Sequence, residues 1–149
     1  MHAEQVPRSD SRVTLTDTKD ALDMPRIRVD WRYSKEDIET VRLTLRKLAA
    51  EWKASGVADF EFDEGALEED LLRFGAYGGH HAGTARMGAD PLTSVVDSNC
   101  KVHGVGNLYI ASAAVFTTSS QANPTFTVVA LALRLANHLR SLNSSLIRS

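Results

Sequence analysis

The chain has 149 residues, a formal net charge of −2 and 43% hydrophobic residues. That is the size of one ordinary domain with enough apolar material for a core. The near-balanced charge excludes the basic footprint of a nucleic-acid binder, and the single cysteine, Cys100, excludes an internal disulfide. The longest apolar run, Val128 to Leu133, is too short to span a bilayer. The start at Met1 to Gln5 lacks the apolar stretch of a secretory leader, so the expected location is cytoplasmic.

Taken in chain order, Arg12 to Thr16 alternates apolar and polar residues, and Arg26 to Trp31 does so again, with Ile27, Val29 and Trp31 on one face. Two such runs around a loop ending in Pro25 predict a hairpin. Ser34 to Ser55 predicts an amphipathic helix. Ser34 caps it, Asp37 sits three residues later in the capping-box position, and Ile38, Val41, Leu45, Leu48 and Trp52 share a face. Gly56 stops it. Nothing on this helix asks for a catalytic role. Asp59 to Asp70 is acidic but lacks the glycine-centred pattern of a calcium loop, so it reads as a solvated face. Leu67, Leu71, Leu72 and Phe74 predict a short helix there, and Gly75, Gly78 and Gly79 then break regular structure.

From Ser94 the chain is turn-rich and strand-like. Val95–Asp97 and Lys101–His103 lead to a turn at Gly104–Asn107, and Leu108-Tyr109-Ile110 predicts a short buried strand. The side chains of Ala111, Ser112, Ala113 and Ala114 are small enough for something bulky to approach the backbone. The last helix is predicted from about Pro124 to Leu142, with Asn123 as N-cap and Pro124 in the first helical position. Phe126 to Leu133 is apolar on nearly every side, which predicts burial between other layers. Arg134, Asn137, His138 and Arg140 mark where the far end meets water. The fold class is α/β (α+β), with incomplete sheets and two long helices. The division is 1–75, hairpin plus amphipathic helix, and 76–149, the segment with the terminal helix.

Two signatures carry chemistry. Gly78-Gly79-His80-His81-Ala82-Gly83-Thr84-Ala85-Arg86-Met87 places imidazoles in a stretch too glycine-rich for ordinary helix or strand. Gln121-Ala122-Asn123-Pro124-Thr125 places an amide at the start of the apolar helix. A base beside a helix N-terminus suits a reaction that removes a proton and holds negative charge elsewhere. His80 and His81 are both candidates for that base, the other then shaping the pocket beside it. Asn123 is both a cap and a candidate substrate contact. His103 is expected to bond to backbone, and Arg86 to pair with Asp97 or Asp90. His80, His81 and His103 have no familiar metal spacing, so no metal is expected. There is no Gly-x-Ser-x-Gly elbow for a hydrolase and no Gly-x-Gly-x-x-Gly turn for a dinucleotide-binding unit.

The motifs His80-His81-Ala82-Gly83-Thr84, Val95-Val96-Asp97, Lys101-Val102-His103-Gly104-Val105, Asn107-Leu108-Tyr109-Ile110 and Asn123-Pro124-Thr125 follow one another as they do in a known family. Residues 76–142 resemble the C-terminal segment of the glucose–methanol–choline (GMC) oxidoreductases, which are FAD-dependent alcohol dehydrogenases and oxidases. The stretch from Glu4 to Leu15 resembles strands of that family's substrate domain, and the version here is most similar to bacterial members acting on sugars, polyols or cyclic alcohols. The resemblance implies a two-domain FAD-dependent fold of which this chain is the C-terminal part. It implies His80 as general base, Asn123 as the companion that bonds the substrate oxygen, and hydride transfer to flavin N5. Contacts to FAD are implied for Ala111, Ser112, Ala113, Asn123, Pro124 and Thr125, with backbone N–H groups as the donors near Ala111 and Ser112. The implied partners are a small-molecule alcohol and an N-terminal FAD-binding segment or subunit. The chain would then be a truncated product, a split subunit or a remnant, and the competing reading is a non-catalytic fragment or binding module without cofactor.

Overall fold

The computed structural model describes residues 4–75 and 79–146. Gly78, the first glycine of the histidine signature, lies outside them. The chain divides into two compact units, Met1–Gly79 and His80–Ser149.

The first unit opens with the expected hairpin, β1 (Arg12–Lys19) against β2 (Pro25–Asp30), antiparallel, with Val13 opposite Val29 and Leu15 opposite Ile27. Asp20 builds the turn. Its carboxylate accepts the N–H groups of Leu22 (2.8 Å) and Met24 (3.0 Å), and Asp23 takes the left-handed conformation at φ 61°. The register slips between Leu15 and Lys19, and the Thr16 hydroxyl donates to the Arg26 carbonyl there at 3.2 Å.

Helix α1 (Lys35–Ser55) is built at both ends as the sequence predicts. The Ser34 hydroxyl accepts from Asp37 N–H at 3.0 Å, and the Asp37 carboxylate accepts from Ser34 N–H at 2.8 Å. Gly56, at φ 66°, closes the other end with its N–H on the Lys53 carbonyl. The apolar stripe is covered unevenly. Ile38 is buried, Val41 and Leu45 are half-buried, and Leu48 and Trp52 are exposed. The Trp52 ring meets Phe60 edge-on at 5.7 Å. Helix α2 (Leu67–Phe74) buries Leu67 and forms a shallow groove with α1 lined by Val41, Leu45, Leu71 and Phe74. The acidic stretch behaves as a surface. Asp63 accepts the N–H groups of Gly65 and Ala66 ahead of α2, and Glu64 pairs with Arg46 and Arg42.

In the second unit the expected strands are reduced to single bridges: Met87 with Val96, Val96 with Val102 and Lys101 with Tyr109. Leu108–Ile110 is therefore not a strand, and Leu108 is half exposed. Turns interrupt each run before a ladder can form. The Asp97 carboxylate gathers the N–H groups of Asn99 and Lys101, Cys100 sits at φ 63°, and Gly104 turns at φ 74°. The core is small: Val96, Cys100, Val115 and Leu135, flanked by Met87, Val102, Tyr109, Ile110, Phe116 and Leu131.

Helix α3 spans Thr125–Leu146, starting one residue later and ending four later than the sequence predicts. Only part of the burial expected for this helix is made within this chain. Leu135 is 6% exposed, but Phe126, Val129 and Leu133 are 87%, 52% and 62% exposed. Its apolar girth exceeds what so small a unit can cover. No helix among the described residues is long and apolar enough to cross a membrane.

Candidate active site

The histidine signature is held by backbone. The N–H groups of Gly83, Ala85 and Met87 donate in turn to the carbonyls of Ala113 (3.1 Å), Ala114 (2.8 Å) and Val115 (2.9 Å). This docks the stretch after His80 and His81 along the small-residue turn that the sequence singled out. Gly83 is required at its position. Its φ of 76° is left-handed, and a Cβ there would lie 3.3 Å from the Phe116 carbonyl. Residues Ala113–Val115 form a single 3₁₀ turn, capped by the Ser112 hydroxyl accepting from Ala114 N–H at 3.2 Å. The Ser112 side chain is thus engaged in its own turn, while Ala111 and Ser112 both stay exposed.

From that turn the chain passes through Phe116–Ser120 to the start of α3, and a cavity of about 340 Å³ opens between them. Met87, Val115, Phe116 and Leu131 supply apolar walls. Thr117 to Ser120, Ala122, Asn123, Pro124 and Thr127 supply the rest. Asn123 and Pro124 therefore stand on the cavity wall at the helix start. Val128 N–H bonds the Pro124 carbonyl at 2.9 Å as the first turn closes. The main-chain N–H groups of Thr125, Phe126 and Thr127 precede that bond and have no acceptor within the helix. Pro124, not Asn123, is the residue immediately before the helix, and its carbonyl accepts the first helical bond.

His80 and His81 are exposed at the head of the second unit and do not line this cavity; nor do Ala111, Ser112 and Ala113. The structure unites the histidine stretch with the alanine turn through three backbone bonds, and Asn123 with Pro124 on one wall. Met87 and Val115 belong to both groupings. The Thr117–Ser120 stretch escaped the sequence reading. Its signal was a hydroxyl-rich run directly before the helix cap, and Ser120 adopts a left-handed φ of 57° on the cavity wall.

Two secondary expectations resolve differently. His103 Nε2 lies 3.2 Å from the Gly88 carbonyl, as expected of a backbone bond, and also 3.0 Å from Ser94 Oγ. Arg86 does not pair with Asp97 or Asp90 here; its Nε donates to the Thr93 carbonyl at 2.7 Å. Among the described residues no cluster of His, Cys, Asp and Glu is arranged to hold a metal ion.

The family model described as GMC oxidoreductase matches residues 7–132. A 2-methyl-1,2-propanediol dehydrogenase from Mycolicibacterium austroafricanum is 31% identical over 140 residues, covering 93% of this chain and 24% of that protein. A C-glycoside 3-oxidase from Arthrobacter globiformis is 32% identical over 150 residues, covering 99% of this chain and 27% of the relative. The large subunit of a fructose dehydrogenase from Gluconobacter japonicus is 30% identical over 135 residues, covering 90% and 23%. The chain spans about a quarter of the length of these relatives. A match across most of its residues, in the stretch that carries both chemical signatures, makes this chain a member of the GMC oxidoreductase family, corresponding to part of a longer enzyme.

Proposed function

We propose that this chain supplies the catalytic edge of an FAD-dependent oxidoreductase acting on CH–OH groups of a sugar, polyol or other alcohol. One observation carries the reading: the backbone ladder from Gly83–Met87 to Ala113–Val115, which runs into the cavity wall bearing Asn123 and Pro124. It joins the stretch after the histidines to the small-residue turn, and Met87 and Val115 at its end share the cavity wall with Asn123 and Pro124. The relatives named above are dehydrogenases and oxidases of alcohols and sugars by name, and the family is generally FAD-dependent.

The residues present fit a flavin. The α3 start offers N–H groups without helical acceptors, suited to a group that gains negative charge. The Ala111–Ala113 turn has no bulk to obstruct a ring or phosphate. Bound FAD would supply the hydride acceptor. Thr125, Pro124 and Asn123 would hold its pyrimidine side, and Ala111 to Ala113 its chain. In this reading His80 Nε2 or Nδ1 takes the alcohol's hydroxyl proton, and the Asn123 amide donates a hydrogen bond to the same oxygen. His81 bounds the substrate pocket. A positioned imidazole base of this kind contributes on the order of 10²–10⁴ in rate.

The test is a holoenzyme reconstituted from this chain and the remaining portion of the Mycolicibacterium austroafricanum relative. With alcohol added anaerobically, the His80→Ala variant should bleach its flavin about 10²–10⁴ times more slowly while retaining FAD. Equal bleaching rates in variant and parent would remove His80 from its role. Failure of the parent to retain any flavin would favour the non-catalytic reading.

A further inference from the structure

The His103 ring joins two other stretches of the second unit. Its Nε2 lies 3.2 Å from the Gly88 carbonyl and 3.0 Å from Ser94 Oγ, and its main-chain N–H donates to the Val95 carbonyl at 3.0 Å. Gly88, Ser94 and His103 are all half-buried. Gly88 permits the approach, since a Cβ there would lie 2.8 Å from Ser94 Cβ and 3.0 Å from Ser94 Oγ. Ser94 Oγ also lies 2.6 Å from the Asp90 carbonyl. A carbonyl can only accept, so the single hydroxyl proton of Ser94 points to Asp90. Ser94 Oγ must then accept from His103 Nε2, and the Gly88 carbonyl draws on the same ring proton. The opposite assignment opposes lone pairs twice: Nε2 against the Gly88 carbonyl, and Ser94 Oγ against the Asp90 carbonyl. Nε2 therefore carries the proton, and Nδ1 is the ring position left to gain or lose one. A serine and a histidine at this distance would ordinarily suggest a nucleophile and its base. Here the proton runs the other way.

We propose that His103 is the positioning residue for the Met87 wall of the cavity, acting through a fixed Nε2–H shared by the Gly88 carbonyl and Ser94 Oγ. Met87 precedes Gly88 and lines the cavity together with Asn123 and Pro124. Met87 N–H is held by the Val115 carbonyl and Gly88 N–H by the Val96 carbonyl, each at 2.9 Å. Those bonds fix the peptide before Gly88 and leave the one after it to turn. A glycine has the freest backbone of any residue, so a bond on each side of it is what sets the path of the chain. The ring supplies the second bond. Through Ser94 it also ties the turn at Asp90 to the same point. The bearing of this wall on alcohol oxidation rests on the function proposed above; the bond direction and the wall do not depend on what fills the cavity.

The experiment is nitrogen-15 NMR of the full 149-residue chain labelled at histidine, with the His103 signals assigned by their loss in His103→Gln. Well above the ordinary imidazole value of about 6.5, His103 should show one unaveraged tautomer, protonated at Nε2 and bare at Nδ1, with a slowly exchanging Nε2–H. Averaged ring nitrogens, or a bare Nε2, overturn the proposal. Two variants then separate the donor from the bulk of the ring. His103→Gln puts an amide N–H donor near the place of Nε2, whereas His103→Leu leaves no donor. Hydrogen exchange at the Met87 and Gly88 N–H groups should quicken about tenfold in His103→Leu and stay within about threefold of the parent in His103→Gln. The Met87 methyl resonance should shift only in His103→Leu. Equal effects of the two substitutions would make the ring a packing element and overturn the positioning role. Ser94→Ala tests the link without touching the ring: Nε2 should keep its proton on the Gly88 carbonyl, with exchange several-fold faster, and a bare Nε2 there overturns the assignment. A fluorophosphonate probe should leave Ser94 unlabelled in the native chain, and covalent labelling there would show an activated hydroxyl and reverse the bond. Every readout is made on this chain by itself. Failure of the reconstituted enzyme to reduce flavin would therefore defeat the proposed function and leave this role standing.

Discussion

Asp37 ties two parts of the first unit together. One carboxylate oxygen accepts Ser34 N–H at 2.8 Å, and the other accepts Val6 N–H at 2.8 Å, tying the segment before β1 to the head of α1. Its own N–H bonds Ser34 Oγ at 3.0 Å. Asp37 and Ser34 are 6% and 3% exposed. Replacing Asp37 by alanine removes two charge-assisted bonds, each worth about 1.5–3 kcal/mol. The two halves do not cost the same. Val6 is half exposed, so water can replace that acceptor, whereas Ser34 is buried and its N–H would be left unpaired. The expected loss is about 2–4 kcal/mol for Asp37→Ala, against about 1 kcal/mol for Ser34→Ala, which removes an ordinary cap. Native-state hydrogen exchange at Val6, Ser34 and Ile38 reads the opening free energy locally, without assuming that both units unfold together. Burial pushes the Asp37 carboxyl upward, but bonds from Ser34 N–H, Val6 N–H, the Ser34 hydroxyl and the Gln5 side chain outweigh it and hold the group below its ordinary range. A carboxylate lowered in the folded state contributes stability that is complete above the unfolded value of about 3.9 and disappears as pH falls through the folded one. Protection at the head of α1 should therefore be flat from neutrality down to that value, fall below it in the parent, and lose this acid dependence in Asp37→Ala. A variant within about 0.5 kcal/mol of the parent, or a Ser34→Ala loss exceeding that of Asp37→Ala, would refute the assignment.

Three further outcomes follow from packing and charge. Gly75→Ala should destabilise the first unit by about 1–3 kcal/mol in urea unfolding, because its Cβ would lie 2.6 Å from the Leu71 carbonyl and 2.3 Å from Tyr33 Oη; adding Tyr33→Phe should recover part of the loss. Leu135→Ala should cost the second unit about 2–5 kcal/mol, while Leu133→Ala, on the exposed side of α3, should change thermal stability of this chain by under about 0.5 kcal/mol; equal effects would show that α3 buries the wrong face. Glu64→Gln breaks the pairs to Arg46 and Arg42, but these side chains are only partly buried, so urea unfolding should shift by no more than about 1 kcal/mol and less in high salt.

Local chemistry alone determined a good part of this protein. The Ser34–Asp37 box, Gly56, the hairpin and the short helix at Leu67 were legible because each is settled by neighbouring residues: a cap, a left-handed glycine, an alternation, a periodicity. The two signatures were legible for the same reason, since an amide, a proline and a run of glycines announce a helix start and an irregular loop. Tertiary structure decided the rest. Leu108–Ile110 reads as a strand, yet a strand needs a partner, and the turns at Asp97, Cys100 and Gly104 leave only single bridges. The apolar girth of α3 says that the helix should be covered, but not by what; among the described residues the Leu131 and Leu135 side finds a core. The bonds from Gly83, Ala85 and Met87 to Ala113–Val115 join segments some thirty residues apart through main-chain atoms, which no side-chain pattern encodes, and those bonds set the histidine stretch beside the small-residue turn.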